Sequence, residues 1–233
     1  MIARGLLDAG ASVVISARKQ HELDLAVVEL SAHGQIIAIQ SDLSSNEGCR
    51  ALADQVEVHF PALNILVNNA GAAWGMPFEE FTEAGWDRVM DTNVKSLFFL
   101  TQMLHQSLKA GGTADDPARV INLGSVDGLH VNPMDTFPYS TSKAGVHHLT
   151  RVLARKLGPH HITVNAIAPG PFESKMMAST LNAFGATIAR SSPLGRIGRP
   201  DDMAGVAVYL SSRAGAYVTG AVIPVDGGIA TTS

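Results

Sequence analysis

Tyr139 and Lys143 are the two residues whose types and spacing most clearly predict chemistry in this sequence. The residues that follow them are apolar at mixed three- and four-residue steps, which predicts a helix with one apolar face. Residues four positions apart lie side by side on a helix, so the Lys143 ammonium is expected near the Tyr139 ring. A nearby positive charge favours phenolate over phenol, and we therefore expect Lys143 to lower the pKa of Tyr139. The same spacing also occurs incidentally on surface helices, so the hypothesis depends on the rest of the chain.

The composition predicts a lightly charged globular protein. The chain has 233 residues, of which 46% are apolar and 16% charged, and its formal net charge is −4. We expect one domain covering 1–233. The absence of a basic run argues against a nucleic-acid partner, and no apolar run approaches a membrane span. Cys49 is the single cysteine and no signal peptide is evident, which predicts a cytoplasmic protein. No metal-binding motif is found, and no metal is expected.

Short apolar strands alternate with helical segments along the whole chain. The pattern predicts strands at 13–15, 36–39, 63–67, 120–123, 163–167 and 222–225. It predicts helices at 2–9, 20–32, 45–58, 79–110, 201–211 and from Tyr139 onward, with short helical pieces in 169–199. Most strands are apolar at nearly every position, as in sheets buried on both faces. The fold class predicted is therefore α/β, with a doubly wound, Rossmann-like, mostly parallel sheet flanked by helices on both faces.

Polar and glycine-rich residues follow these strands, where doubly wound folds bind their ligands. They are Arg18, Asp42, the segment 68–71, Ser125, Pro169 and Gly170. Ser125 lies 14 residues before Tyr139, close enough to face it across a loop. Asn93 interrupts an apolar helical stretch, and by itself it is best interpreted as structural.

Together these features resemble the short-chain dehydrogenase/reductase family over the full length of the chain. The resemblance rests on Asn68-Asn69-Ala70-Gly71, Asn93, Ser125, Tyr139 with Lys143, Pro169-Gly170 and Val225-Asp226-Gly227-Gly228. Within the family the chain is most similar to 3-oxoacyl reductases, on the segments 72–75, 122–126 and 167–172.

The resemblance implies a role for each of four catalytic residues. Tyr139 would protonate the carbonyl oxygen as hydride arrives, and Ser125 would hydrogen-bond the same oxygen. Lys143 would hold the nicotinamide ribose and lower the pKa of Tyr139, while Asn93 would position a water that links Lys143 to solvent. The implied cofactor contacts are Arg18, Asp42, Leu43, Asn69, Ala70, Gly71, Tyr139, Lys143, Pro169, Gly170 and Ser174.

The residues after the strand at 13–15 bear on the choice of cofactor. Relatives that bind NAD carry an acidic residue there, which bonds the ribose 2′-hydroxyl. This chain has Ala17, followed by Arg18 and Lys19. Two cations without a carboxylate suit a 2′-phosphate, so NADPH/NADP is the expected cofactor; the alternative is a basic pair that only faces solvent.

The leading hypothesis is an NADPH-dependent reductase of a ketone, with a 3-oxoacyl thioester as the expected substrate class. The apolar residues Met134, Phe137, Phe172, Met176 and Met177 are expected beside the site, and 171–195 resembles the substrate lid of the family. One alternative is a dehydrogenase of a sugar, steroid or other secondary alcohol, and another is a non-catalytic, reductase-like binding protein. An apolar stretch from Leu97 to Leu104, wider than one sheet face needs, indicates a homotetramer or homodimer.

The family begins with a strand and a glycine-rich TGxxxGxG turn, for which this sequence has no counterpart. Compared with a full first βα unit, roughly 20 to 25 residues are absent. We expect the absent strand to be central, between the strands at 12–16 and 63–67. The sheet should then either keep a gap there or close up with disturbed helices. Because each unsatisfied buried backbone group costs about 1–3 kcal/mol, we expect the chain to fold poorly alone and to bind NADPH weakly.

Overall fold

The computed structural model describes residues 1–174 and 177–232, in which strands and helices alternate as predicted. The strands are β1 Val13–Ala17, β2 Ile36–Gln40, β3 Ile65–Asn68, β4 Ala118–Leu123, β5 Ile162–Pro169 and β6 Val222–Val225. The helices are α1 Ile2–Asp8, α2 Gln20–Leu30, α3 Asn46–His59, α4 Glu83–Met90, α5 Ser96–Met103, α6 His105–Gly111, α7 Phe137–Leu157, α8 Ala178–Ser191 and α9 Pro200–Ser211.

All described strand pairs are parallel, but they form two sheets. One sheet is β1 paired with β2, and the other has the order β3-β4-β5-β6. In the first sheet Val13 lies opposite Ile36, and in the second Ala118 lies opposite Ile162. No ladder joins β1 to β3 among the described residues. Of the two arrangements expected for this part of the sheet, the structure therefore has the one with a gap.

The core lies on both faces of the larger sheet because successive strand residues point to opposite sides. Val120 packs among α3, α5, α6 and α7, whereas its neighbour Ile121 packs against α9. Each side has its own cluster of buried apolar residues. Helices therefore cover both faces of a parallel sheet, which confirms the predicted Rossmann-like class.

Two helical predictions need correction. The predicted helix over 79–110 is three helices, and the π-helical turn Asp91–Lys95 joins α4 to α5. Such single-turn π segments occur frequently at functional sites. In the described part of the segment 169–199 there is one 14-residue helix, α8, where several short pieces were predicted.

Two of these helices, α3 and α4, are preceded by a polar side chain that caps them. The hydrophobic periodicity of the sequence locates the first residue of each helix only approximately. Ser45 precedes α3, and its hydroxyl accepts a hydrogen bond from the Gly48 amide at 3.0 Å. Thr82 precedes α4 and accepts from the Gly85 amide at 3.2 Å. Both satisfy an amide that has no partner within its helix, which fixes where the helix starts.

None of the described helices combines the length and the apolar character that a membrane-spanning helix requires.

Candidate active site

Tyr139 and Lys143 lie one turn apart near the start of α7. The Lys143 ammonium nitrogen is 5.5 Å from the centre of the Tyr139 ring. Only 5% of Lys143 is exposed, and its ammonium donates a hydrogen bond of 2.7 Å to the carbonyl of Leu123. Leu123 is the last residue of β4, so this bond ties the helix to the carboxyl edge of the larger sheet. The neighbourhood expected from the four-residue spacing is present.

The expected direction of the Tyr139 pKa is wrong for this structure. Burial raises the pKa of Tyr139 above its ordinary value, a hydrogen bond with Ser125 opposes this, and the charge of Asp127 adds to it. The Lys143 ammonium, which is hydrogen-bonded to the Leu123 carbonyl, does not lower the pKa of Tyr139 enough to offset burial. Desolvation of the phenolate thus outweighs the effect that spacing alone predicted.

Burial also acts on Lys143, whose pKa it lowers from 10.5 to about 8, although the charge of Asp127 opposes the change. Desolvation disfavours a charged amine as it disfavours a phenolate. Near neutral pH, Lys143 is therefore still a cation and Tyr139 still a phenol. Asp127 influences both groups, and sequence reasoning missed it because a carboxylate two residues after Ser125 belongs to no recognised motif.

Ser125 is buried at the end of β4, where it faces α7. Its hydroxyl accepts a hydrogen bond of 3.2 Å from the Asp127 amide, which begins a short helical turn over Val126–Gly128. Its hydrogen bond with Tyr139 lowers the pKa of that phenol. The structure thus brings the two predicted hydroxyl groups together across the loop.

Asn93 lies in the π-helical turn and is 2% exposed. Its side-chain oxygen accepts from the Ala72 amide at 2.7 Å, and its nitrogen donates to the Ala72 carbonyl at 3.0 Å and to the Ser142 hydroxyl at 2.9 Å. The side chain therefore clamps the segment after β3 to the helix that carries Tyr139. The sequence analysis did not identify Ser142 as part of the site, although its position directly before Lys143 could have indicated it.

The segment Asn69-Ala70-Gly71 follows β3 and is exposed at the same edge of the sheet. A Cβ added at Gly71 would lie 3.8 Å from the Lys143 ammonium and 3.6 Å from the Asn93 oxygen. A glycine there allows a flat ligand to come close to both groups.

Pro169 and Gly170 lie at the end of β5, also at this edge. A side chain at Gly170 would meet the Cβ of Asp226 at 2.7 Å, so this glycine is required by packing against the segment after β6. Ser174 is exposed, and its hydroxyl accepts from the Met177 amide at 3.2 Å. The sheet therefore holds Pro169 and Gly170 at the carboxyl edge, whereas Ser174 lies in the segment beyond β5.

Arg18 and Asp42 follow β1 and β2, at the edge of the smaller sheet. Arg18 is exposed, and its guanidinium makes no hydrogen bond or ion pair with another described residue. The backbone and side chain of Ser44 lower the pKa of Asp42, and the charge of Arg18 adds to this. Lys19 differs, since its ammonium is 3.4 Å from Glu22. Arg18 is therefore the better placed of the two cations for a phosphate. Leu43 packs its side chain against the larger core cluster.

The apolar residues expected beside the site divide into two groups. Phe137 packs edge-on against Phe78 and Phe81, with ring centres 5.7 and 5.6 Å apart. Met134 is 49% exposed, and the loop before α7 also exposes Leu129 and Val131. We refer to these four residues, which lie between Ser125 and Tyr139 in the chain, as the apolar rim: Leu129, Val131, Met134 and Phe137.

Phe172 does not belong to the apolar rim. It is 6% exposed and packs with the α9 side of the core, with Gly198 against its ring. The expectation that it contacts substrate is therefore wrong, because its ring is used by the core. Met177 is half-buried just before α8, and Met176 lies outside the described residues.

A buried polar chain beneath the site was also missed. Asn68 donates to Thr101 at 3.0 Å and to Asn122 at 2.9 Å, and Asn122 donates to Thr150 at 2.9 Å. These bonds join β3, β4, α5 and α7 in register. Asparagine within two apolar strands was the signal that could have revealed the network.

No group of three or more metal-ligating side chains is found within 1–174 and 177–232. His105 and His160 face each other at 2.9 Å but have no third ligand.

A family model described as Enoyl-(Acyl carrier protein) reductase matches residues 1–230. The chain belongs to the short-chain dehydrogenase/reductase family. This match confirms the resemblance seen in the sequence. The residues Ser125, Tyr139 and Lys143 lie at the carboxyl edge of the larger sheet, where doubly wound proteins bind ligands.

Several members of this family are similar to the chain over nearly its whole length. The rhamnolipids biosynthesis 3-oxoacyl-[acyl-carrier-protein] reductase of Pseudomonas aeruginosa is 46% identical over 230 residues, which cover 98% of this chain and 90% of the relative. A galactitol 2-dehydrogenase of Cereibacter sphaeroides is 36% identical over 231 residues, which cover 97% of this chain and 88% of the relative.

Solved structures show the same relationship. The Pseudomonas aeruginosa RhlG/NADP active-site complex matches with a TM-score of 0.95 and 45% identity, and the match covers 98% of this chain and 90% of that one. A gluconate 5-dehydrogenase from Burkholderia cenocepacia in complex with NADP and tartrate matches with a TM-score of 0.90 and 30% identity, covering 100% and 90%.

Proposed function

We propose that this protein is an NADPH-dependent oxidoreductase that reduces a ketone, with a 3-oxoacyl thioester as the substrate class. The observation that carries the proposal is the meeting of Tyr139, Ser125 and Lys143 at the carboxyl edge of the larger sheet. A proton donor, a second hydroxyl and a buried cation are the groups that carbonyl reduction asks of a protein.

The residues around this edge suit a nicotinamide dinucleotide phosphate. The Lys143 ammonium would hold the nicotinamide ribose, and Gly71 leaves room for the ring beside it. Arg18 would meet the 2′-phosphate, since it is exposed and interacts with Asp42 through charge without a side-chain hydrogen bond between them. When bound, NADPH supplies the hydride that reduces the carbonyl carbon. The names of two structural relatives, which include NADP, support this assignment.

Tyr139 supplies the proton in this proposal. Its raised pKa keeps it a phenol at neutral pH, so it can donate to the carbonyl oxygen as that oxygen gains charge. The Ser125 hydroxyl, already bonded to Tyr139, would donate to the same oxygen and align it. The Lys143 cation stabilises the phenolate that remains after transfer. Asn93 holds the Ala72 segment and α7 together, which keeps these groups in place.

The apolar rim favours an acyl chain over a polyol. An alkyl chain that covered the exposed leucine, valine and methionine next to the site would be bound more tightly, by about 25 cal/mol per Å² of apolar surface buried. The 3-oxoacyl reductase from Pseudomonas aeruginosa is also the most identical of the relatives described above.

The direct test is loss of NADPH absorbance with acetoacetyl and longer 3-oxoacyl thioesters, followed in a stopped-flow instrument. We expect kcat/KM to rise with chain length, because the rim would cover part of each added methylene. A rate that is equal for all chain lengths would contradict the acyl assignment, and no turnover with any carbonyl would support a non-catalytic binding protein instead.

A second candidate is a dehydrogenase of a sugar or other secondary alcohol. It is favoured by the similarity to the galactitol and gluconate dehydrogenases. Loss of NADPH absorbance with 5-ketogluconate and formation of NADPH from NADP with galactitol separate the two, because the apolar rim offers few partners for hydroxyl groups.

We also propose that 1–233 acts as one cytoplasmic domain that assembles into a homotetramer or homodimer. In the apolar stretch from Leu97 to Leu104, Leu97, Leu100 and Leu104 are buried in the core, whereas Phe98 is exposed and packs edge-on with Phe99 at 5.3 Å. Val152 on α7 is also half exposed. A second copy would cover these side chains. Light scattering at micromolar concentration should give twice or four times the mass of the chain, and a monomer would contradict this.

A further inference from the structure

His147 is a buried histidine on α7 that the proposed chemistry leaves unused. It lies one turn beyond Lys143, on the same face of the helix, and is 3% exposed. Neither ring nitrogen makes a hydrogen bond of standard geometry with a described residue, although the Gly128 backbone lies close to the ring. A buried imidazole without a full partner is costly, so its presence calls for a physical reason.

The ring is enclosed by two glycines, one at each end of the loop that carries Ser125. A Cβ added at Gly124 would collide with Nε2 of His147 and would lie 2.7 Å from Cδ2. A Cβ added at Gly128 would lie 2.8 Å from Cε1 of His147 and 2.6 Å from the Lys143 carbonyl carbon. The segment 124–128 therefore rests on the imidazole through bare backbone at both ends.

The opposite side of Gly124 is held by the sheet. Its amide donates a hydrogen bond of 2.8 Å to the Ile167 carbonyl, which extends the pairing of β4 with β5. Gly124 is thus fixed between β5 and the ring, and Ser125 follows directly. We therefore expect loss of the ring to move the Ser125 hydroxyl relative to Tyr139, its hydrogen-bond partner.

The charge state of His147 is consistent with a passive platform. Burial lowers its pKa, the Gly128 backbone opposes this, and the cations Arg151 and Lys143 lower it further. The ring is therefore neutral at pH 7, and it adds no second positive charge beside Lys143.

We propose that His147 is a positioning residue, which sets the distance and angle between Ser125 and Tyr139 by supporting the loop 124–128. The inference rests on the proposed reductase function, and it assigns to the reaction a residue outside the four catalytic positions. His147 does not touch the reacting atoms and acts only through the loop.

The test is a double-substitution cycle between the ring and the glycine it meets. We expect His147→Ala to remove the support and Gly124→Ala to push the loop away, each lowering kcat about tenfold or more with KM for NADPH within about twofold, because small misplacements of reacting groups are costly in rate. In the double variant the alanine methyl enters the space of the ring, so kcat should recover to within about threefold of the parent. His148→Ala removes the neighbouring, exposed histidine and is the matched control.

A second readout does not depend on turnover. The chain has three tyrosines, so 3-fluorotyrosine labelling should give three ¹⁹F resonances, and Tyr139→Phe identifies the one of interest. Ser125→Ala should shift that resonance, His147→Ala and Gly124→Ala should shift it likewise, and the double variant should return it toward the parent position. His148→Ala should leave it in place.

The proposal is overturned if His147→Ala and Gly124→Ala leave both kcat and the Tyr139 resonance as His148→Ala does, or if their effects simply add in the double variant. If His147→Ala does not fold, His147→Val takes its place in the same cycle with Gly124→Ala, with both readouts. Resonance shifts as expected in a protein inactive on every carbonyl would support the positioning of Tyr139 and count against the proposed reaction alone.

Discussion

The two sheets are built from similarly apolar strands, yet they differ in burial. Every residue of β4 is buried, as are seven of the eight residues of β5. In β1 and β2 every residue is only partly buried or is exposed. β4 and β5 have a strand on either side and helices on both faces, whereas β1 is paired only with β2 among the described strands. An apolar strand sequence thus predicts a strand, but its neighbours decide how rigidly the strand is held.

The two sheets position residues with different proposed roles. The larger sheet positions Ser125 and Lys143, which must be accurate to a fraction of an ångström for catalysis. The smaller sheet positions Arg18 and Asp42, which would select a cofactor through charge at the surface. We expect changes at the larger sheet to affect rate and stability, and changes at the smaller sheet to affect mainly cofactor affinity.

The largest expected effect is that of Tyr139→Phe, which removes the proton donor at the larger sheet. We expect kcat to fall by about 10²–10⁴, with KM for NADPH little changed. Tyr209→Phe, at an exposed tyrosine on α9, is the control and should keep the parent rate. A Tyr139→Phe variant with parent kcat would show that proton transfer takes another route.

Truncation of a core isoleucine in each sheet compares their rigidity directly. Ile167→Ala in β5 should lower the free energy of unfolding by about 3 kcal/mol, since the residue is fully buried. Ile15→Ala in β1 should cost about 1 kcal/mol, because the side chain is only partly buried. Urea midpoints measure both, and amide exchange should be faster in β1 than in β5. Equal losses would mean that the smaller sheet is as well supported as the larger.

Raising the pH should remove the positive charge of Lys143. Its pKa is lowered to about 8, so the ammonium loses its proton above that pH. We therefore expect kcat/KM for the ketone to fall about tenfold per unit above pH 8, while Tyr139 remains protonated.

The titration of Lys143 also determines whether the free energy of unfolding rises or falls with pH. Between pH 8 and 10.5 the unfolded chain binds more protons at Lys143 than the folded chain does, so this residue should make stability rise with pH across that window. A flat rate profile up to pH 10 would place the pKa of Lys143 at its ordinary value.

The smallest effect is expected for Arg18→Ala at the smaller sheet. KM for NADPH should rise about tenfold through loss of a charge-assisted hydrogen bond, while KM for NADH and kcat stay close to the parent values. Lys19→Ala, which removes the cation beside Glu22, is the matched control and should change KM less. An equal rise for both cofactors would show that Arg18 does not read the 2′-phosphate.

The sequence by itself determined the α/β order of elements, the pairing of Tyr139 with Lys143 and the edge at which the site lies. The order of elements and the pairing follow from short apolar runs and from a period near four residues, which act within a single strand or helix, and the edge follows from where doubly wound folds bind ligands. Only the tertiary structure decided that the Tyr139 pKa is raised, that Phe172 belongs to the core, and that His147 supports the Ser125 loop. Each depends on burial and on contacts between residues far apart in the chain, and local spacing carries no information about how much water such contacts exclude.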